Sequence, residues 1–360
     1  LFFFYKDKIK KKYQGIVFIS KNLCSILLAL IKIIIVLGIA SFLIGSIFYF
    51  TLEDRPEVSA FTSPNLKVAF IGDQNLGEGA ISVLELIKNE KTDMVIHSGD
   101  FDYIDNPELW DKQINQVLGN DFPYFASIGN HDVEKWDGYQ NKIKNRIDKI
   151  DDAECKGDIG VKSSCYYKGL FFILSGVGLK DSNHEEFIKN ELENSSSIWR
   201  ICSWHMNMNE MQVGKKEDAT GWDVYEECRI GGAMIVTGHE HSYQRTKTMV
   251  DFENQIVDPK NSDPNEISID HNSSFVVVNG LGGGGIRGQE RCLPTTYPYG
   301  CDEWAKIYSS DQGAEYGALF CSFHTNENPF LAHCYFKNIS DEIVDEFTIQ
   351  NKIRNTPNSN

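Results

Sequence analysis

The stretch Asp93–Tyr103, DMVIHSGDFDY, sets an apolar run directly against a glycine, and then places two carboxylates and a phenol within four residues. A short apolar run bounded by glycine reads as a buried strand that ends where the aspartate emerges. LKVAFIGD, ending at Asp73, has the same form, and Ala80, Val83, Leu84 and Ile87 follow it at helical spacing. Trp110, Ile114, Val117 and Leu118 mark the next helix, and FPYFASIGN, ending at Asn130, gives a third strand. Strands alternating with helices predict an α/β fold with a mostly parallel, doubly covered sheet, in which ligands gather at the carboxyl ends of the strands.

Further along, residues 137–165 read as a charged, disulfide-tied insertion before one strand, YYKGLFFILSG. A helix around Glu185–Glu193 leads into IWRICSWH, ending at His205, and a helix near Trp222–Ile230 precedes AMIVTGHEH, with His239 and His241. Beyond about residue 270, SFVVVNG, GALFCSFH, FLAHCYF and EIVDEFTIQ read as strands without intervening helices, which predicts a second, more antiparallel sheet. The strand ends thus collect Asp73, Asp100 with Tyr103, Asn130-His131-Asp132, His205, and His239 with His241. Oxygen donors mixed with imidazoles suit Fe, Mn or Zn rather than Ca or an all-sulfur site.

Taken in order, GDQN, GDFDY, GNHD, CSWH and GHEH resemble the five blocks of the calcineurin-like metallophosphoesterases, and the tyrosine makes the chain similar to the purple acid phosphatase branch. The resemblance covers residues 67–350. It implies a four-layer α/β/β/α sandwich around a dinuclear metal centre, and hydrolysis of a phosphomonoester with a metal-bridging hydroxide as nucleophile. Matched by position, Asp100 would bridge two metal ions, with Asp73, Tyr103 and His241 completing the first site and Asn130, His205 and His239 the second. His131 would stand beside the substrate as general acid or charge stabiliser, with Asp132 orienting its ring. Asn75 stands where many members carry a histidine ligand, a vacancy that Tyr103 fills. A phenol with an unperturbed pKa near 10 binds as phenolate most readily to a trivalent ion, so Fe(III) is favoured in the first site, with Fe(II), Zn or Mn in the second. A phosphodiesterase or nucleotide pyrophosphohydrolase on the same fold is the alternative, as is a catalytically silent membrane receptor or adhesion module. The expected substrate is a phosphorylated small molecule or protein.

The remaining features set the context. The chain has 360 residues, 41% hydrophobic and 12% aromatic, enough for a sizeable core, and a formal net charge of −16. Seven lysines up to Lys32 face one carboxylate, Asp7, so the basic charge is concentrated in residues 1–32 and the body is acidic, which argues against nucleic acid as a partner. From Ile33 to Leu52 run twenty uncharged, mostly apolar residues, read as a transmembrane signal anchor about 30 Å long. The basic flank places the amino terminus in the cytoplasm, on anionic lipid, and the catalytic part outside the cell or in a lumen, with secretion after signal cleavage as the alternative. A linker at 53–66, a catalytic domain at 67–350 and a tail at 351–360 complete the division. Eight cysteines follow the apolar run, and the close spacings 155/165, 292/301 and 321/334 suggest local disulfides. Asn194, Asn272 and Asn338 begin glycosylation sequons. The tract Gly280–Gly285 is read as a turn beside the metal cleft and Asp102 as a solvated loop residue. Arg245 is left open between a substrate contact and an ion pair, while His97, His184, His271, His324 and His333 match no metal block.

Overall fold

The computed structural model describes residues 61–295 and 300–353. The basic segment, the apolar run and most of the linker expected from sequence lie outside these residues, as does the chain beyond 353. Among the described residues no helix is long and apolar enough to cross a membrane.

In chain order the elements are β1 (Leu66–Ile71), α1 (Glu78–Asn89), β2 (Met94–His97), α2 (Pro107–Val117), β3 (Tyr124–Ala126) and α3 (Trp136–Ile147). The hairpin β4 (Ala153–Asp158) and β5 (Lys162–Tyr167) follows, then β6 (Leu170–Ser175), α4 (His184–Glu193), β7 (Arg200–Ser203), α5 (Asp223–Ile230) and β8 (Met234–Thr237). The last third holds β9 (Tyr243–Thr246), β10 (Met249–Asp251), β11 (Ile256–Val257), β12 (Glu266–Ile269), β13 (Val276–Asn279), β14 (Trp304–Tyr308), β15 (Gly317–Phe323), β16 (Leu331–Asn338) and β17 (Ile343–Asn351). Local chemistry sets several boundaries. Pro107 opens α2, where its missing N–H costs nothing, and the Asn106 side chain caps the Leu109 amide at 3.1 Å.

These strands build two large sheets, ordered β12-β17-β16-β15-β1-β2-β3 and β14-β9-β13-β8-β7-β6-β5-β4. In the first, β1, β2 and β3 are parallel; in the second, β6, β7, β8 and β13 are parallel. The second sheet shows a period of two directly. Leu170, Phe172, Leu174, Ile201, Met234, Val236 and Val277 join the core shared with the first sheet. Phe171, Ile173, Cys202, Ile235, Val276 and Val278 point the other way, against Ile188 and Leu192 of α4 and Val224, Tyr225 and Cys228 of α5. Such side chains contribute roughly 1.5–3 kcal/mol each on full burial. The two sheets pack face to face through aromatic pairs such as Phe125 with Phe172, centroids 4.8 Å apart, and Tyr243 with Phe336, 4.3 Å apart.

Three expectations need correction. The late strands do not form a sheet of their own: β15, β16 and β17 extend the first sheet antiparallel from β1, while β13 and β14 enter the second. Strand periodicity records which face is buried, not which neighbour supplies the hydrogen bonds. Residues 137–165, disulfide-tied as expected, are not an insertion but α3 and most of an edge hairpin of the second sheet. YYKGLFFILSG is two strands, broken at Lys168-Gly169, both at positive φ (48° and 81°), the geometry of a tight hairpin turn. The disulfides Cys155–Cys165 and Cys321–Cys334 join directly paired residues of neighbouring strands, and Cys292–Cys301 closes a loop. The fourth, Cys202–Cys228, staples the outer face of β7 to α5.

Candidate metal centre

All the candidate residues come from loops at the carboxyl ends of parallel strands: Asp73 after β1, Asp100 and Tyr103 after β2, Asn130, His131 and Asp132 after β3, His205 after β7, and His239 and His241 after β8. Asp73, Asp100, Tyr103 and His239 have φ of 57°, 61°, 57° and 69°. Side-chain-bearing residues rarely adopt that region, and such strain persists where the surroundings over-determine the backbone. Gly99, at φ 91°, packs against Gly129 so closely that a methyl group on it would stand 2.6 Å from the Gly129 nitrogen. A methyl group on Gly129 would in turn overlap the Asp100 amide and carboxylate. The loops after β2 and β3 therefore meet backbone to backbone, and both glycines serve that approach.

Two clusters result. In the first, the Tyr103 hydroxyl donates to Asp73 Oδ1 at 2.9 Å and lies 3.1 Å from His241 Nε2, which is 3.2 Å from the same Asp73 oxygen. In the second, His205 Nε2 lies 3.3 Å from Asp100 Oδ2, 3.1 Å from Asn130 Oδ1 and 3.2 Å from His239 Nδ1. The other nitrogen, His205 Nδ1, is 2.8 Å from the Ser98 carbonyl and donates to it. Nε2 is thus left facing the Asp100 carboxylate, the Asn130 amide oxygen and the His239 ring nitrogen, an arrangement that favours a positive charge between them, either a proton or a metal ion. Asp100, His205 and His239 each place one donor atom within 4.8 Å of the others.

The electrostatics agree. Burial works against charge on His205, but the Asp100 and Asp73 carboxylates outweigh it and raise its pKa to about 9. Burial likewise opposes ionisation of Asp73, yet the imidazoles around it, His241 foremost, hold it well below the usual carboxylate range. His239 is pushed down to about 3 by burial and then by His205, so it is neutral. Burial and the Asp73 and Asp100 carboxylates drive the Tyr103 phenol far above its ordinary value. With protein groups alone it stays protonated, and only a strongly Lewis-acidic cation would convert it to phenolate.

His131 is exposed at the mouth of the cleft, its ring 4.7 Å from that of Tyr103, and its backbone N–H donates to Asp100 Oδ1 at 2.9 Å. Asp132 does not orient that ring. It is fully buried, Oδ2 accepting the amides of Asp100 and Gly129 at 2.9 and 2.7 Å and Oδ1 that of Phe101 at 2.9 Å, so it fixes the loop that carries Asp100. Burial and the nearby Asp100 charge push its pKa up, to about 8, against those three N–H groups. Asp102 is not solvated either: it is buried and accepts the amides of Ile104 and Asn106 at 2.9 and 3.0 Å, shaping the turn that presents Tyr103. The Asn75 side chain accepts from the next amide, Leu76, at 2.6 Å. Gln74 is tied into a buried chain with Gln113 at 2.7 Å and Tyr124 at 2.8 Å.

The glycine tract does lie beside the cleft. Methyl groups at Gly280, Gly284 and Gly285 would stand 2.9 Å from Asp73 Oδ2, 2.7 Å from the Tyr103 ring and 3.1 Å from His241 Nδ1. Two supporting residues escaped the sequence reading. Ser98 sets the His205 tautomer through its carbonyl, and Asn207 holds the turn before His239 by donating to the Gly238 carbonyl at 2.7 Å. Neither carries a local sequence signal. A second group of metal-binding residue types, Cys292, Cys301 and Glu303, has its cysteines joined in a disulfide.

The model of the calcineurin-like phosphoesterase family matches residues 66–243, a span that encloses both clusters. No curated protein is matched by sequence. Among solved structures, the purple acid phosphatase PPD1 from yellow lupin (Lupinus luteus) seeds is 16% identical with a TM-score of 0.56, over 81% of this chain and 55% of that protein, so the chain spans little more than half its length. PhoD is 14% identical with a TM-score of 0.51, over 81% and 72% of the two chains. GAP50, the anchor in the inner membrane complex of Plasmodium, is 14% identical with a TM-score of 0.53, over 81% and 90%. At these identities the neighbours speak for the fold, a mixed α/β architecture with two large sheets. Residues 66–243, with the ordered strand-end blocks inside them, form a calcineurin-like phosphoesterase domain.

Proposed function

We propose that the chain is a metal-dependent phosphoester hydrolase of the purple acid phosphatase type, acting on phosphomonoesters at a dinuclear centre. Asp73, Tyr103 and His241 would hold one ion and Asn130, His205 and His239 the other, with Asp100 serving both. The single observation that carries this reading is His205 Nε2, aimed at Asp100 Oδ2, Asn130 Oδ1 and His239 Nδ1 within 3.1–3.3 Å. Fe(III) in the Tyr103 site, with Fe(II), Zn or Mn in the other, suits a phenol that its surroundings keep protonated. When bound, such a pair of ions supplies Lewis acidity toward the phosphoryl oxygens and lowers the pKa of a water toward neutrality.

The chain's own groups supply the rest. The His131 N–H fixes one oxygen of Asp100 and leaves the other turned to His205. The exposed His131 ring is placed to give a proton to a departing alkoxide or to offset its charge. Asp132 and Asp102, through backbone amides, keep Asp100 and Tyr103 at their strained angles. Four disulfides among the described residues suit an oxidising compartment, which supports an extracellular or lumenal catalytic domain, glycosylated at Asn194, Asn272 or Asn338 and anchored by residues 33–52. A non-catalytic module is the second reading, favoured by the fold neighbour that is an anchor in Plasmodium. The full set of donor residues weighs against it.

The deciding experiment is metal analysis of the purified full chain after reconstitution with Fe, Mn or Zn, with assays on p-nitrophenyl phosphate and bis-p-nitrophenyl phosphate. Bound metal with faster monoester turnover is expected. No stoichiometric metal and no hydrolysis of either ester would overturn the proposal.

A further inference from the structure

Beside the two clusters lies a cavity of about 490 Å3, lined by Gly214, Lys215, Lys216, Glu240, Arg287 and Gly288, with Glu290 at its edge. Its walls adjoin the candidate ligands. Glu240 stands between His239 and His241 in sequence, and the Arg287 amide donates to the His241 carbonyl at 2.8 Å. Two loops make the walls, and they are locked together. The amides of Glu290 and Arg291 both donate to the Val213 carbonyl, at 2.9 and 3.1 Å, and Arg291 Nη1 donates to the carbonyl of Gln212 at 3.0 Å. Val213 also packs into a small apolar cluster with Trp304 and the Cys292–Cys301 disulfide. The Gly214 Cα lies against the Glu240 carboxylate, so a methyl group there would displace that carboxylate.

The charges in this cavity do not cancel. Lys215 is paired with Glu290 at 3.2 Å. Glu240, 2% exposed, has only a loose ion pair with Arg287 at 3.9 Å, and among the described residues Lys216 has no carboxylate within ion-pair distance. Two cations therefore face one carboxylate in a chain whose net charge is −16. Burial and then the neighbouring Arg287 charge lower the Lys216 pKa, against the pull of Glu240, Asp73 and Asp100. A half-buried cation held beside the candidate metal ligands without a partner, on loops fixed by a disulfide, is poised for an anion that arrives with the substrate.

We propose that this cavity is a second anion subsite, in which Lys216 and Arg287 bind the non-reacting phosphate of a substrate carrying two linked phosphates, a diphosphate ester or nucleoside diphosphate. The inference rests on the hydrolase reading and adds its substrate class. In the reaction, a water oxygen forms a bond to the terminal phosphorus beside the candidate ligands, and the bond from that phosphorus to the bridging oxygen breaks. The electron pair stays on the bridging oxygen of the phosphate held by Lys216 and Arg287, whose charges offset it, and the proton of the water passes to solvent.

The test compares wild type, Lys216→Ala and Arg287→Ala in the metal-reconstituted full chain. Hydrolysis of adenosine 5′-diphosphate and of p-nitrophenyl phosphate is measured alongside calorimetric binding of methylenediphosphonate and of methylphosphonate. Each substitution should lower kcat/KM for the diphosphate about 10- to 100-fold and weaken methylenediphosphonate to a similar degree, as expected for loss of one charge-assisted contact. The monoester and methylphosphonate should change less than about threefold. Equal losses on both substrates, or no loss on either, would overturn the subsite. Failure of the wild type to hydrolyse any ester would refute the hydrolase reading instead, and the two phosphonate affinities would still decide whether the subsite exists.

Discussion

Replacing Asp345 by alanine isolates a question that sequence left open, since Arg245 lies four residues beyond His241 and had two possible roles. In the fold its Nε and Nη2 donate to Asp345 Oδ2 and Oδ1 at 2.7 and 2.9 Å, and Nη1 donates to the Pro264 carbonyl at 2.7 Å. The Tyr243 hydroxyl donates to Asp345 Oδ2 at 2.8 Å, and the guanidinium lies 4.0 Å above the Phe347 ring. The paired side chains are 1% and 5% exposed, so Asp345→Ala strands a buried guanidinium without its counter-charge. Breaking such a pair costs about 3–5 kcal/mol, a large part of the roughly 5–15 kcal/mol that holds a domain folded. Because Arg245 is on β9 of one sheet and Asp345 on β17 of the other, the loss falls on the contact between sheets. Arg245→Met combined with Asp345→Leu removes both charges and should recover most of that loss. Urea unfolding followed by tryptophan fluorescence measures both variants, through the midpoint at constant slope. A single substitution that costs less than about 1 kcal/mol, or one that leaves stability intact while abolishing phosphoester hydrolysis, would refute the ion-pair assignment and return Arg245 to the substrate.

Three further outcomes are expected. Tyr103→Phe should remove the visible charge-transfer band of the iron-loaded protein while the fold is retained, and an unchanged band would show that the phenol is not a ligand. Since His205 is held near pKa 9 and must lose its proton to bind metal, apparent metal affinity should climb as pH rises toward about 9, and a flat metal titration would count against it as a ligand. Glu90, although burial opposes its charge, is held at about 2 against 4.5 by hydrogen bonds from Lys67, Tyr335 and Lys337. A depressed folded pKa stabilises above the unfolded value and is lost on acidification. Glu90→Gln should therefore be the less stable form at neutral pH, with the gap closing between about pH 4.5 and 2, as urea curves at several pH values will reveal.

The residues that make the centre were legible in the linear chain because each is fixed by a local event, an apolar run that stops at a glycine and then a polar side chain. MVIHSGD needs no distant neighbour to announce that Asp100 leaves the sheet there, and the three short cysteine spacings are local in the same sense. The sequence alone therefore determined where the first strands end, which polar side chains leave them, and three of the disulfides.

What a buried polar group bonds to was decided only in three dimensions. Asp102 reads as a solvated loop residue and Asp132 as a partner of the His131 ring until the fold brings the amides of Asp100, Phe101, Ile104, Asn106 and Gly129 onto their oxygens. Arg245 met its partner one hundred residues away, Cys202 met Cys228 across a sheet and a helix, and β15 found its place beside β1 rather than in a sheet of its own. Hydrophobic period two tells a strand which face to bury, but its pairing partner is chosen by whichever edge presents free N–H and C=O groups in register, and that choice is made by the whole chain at once.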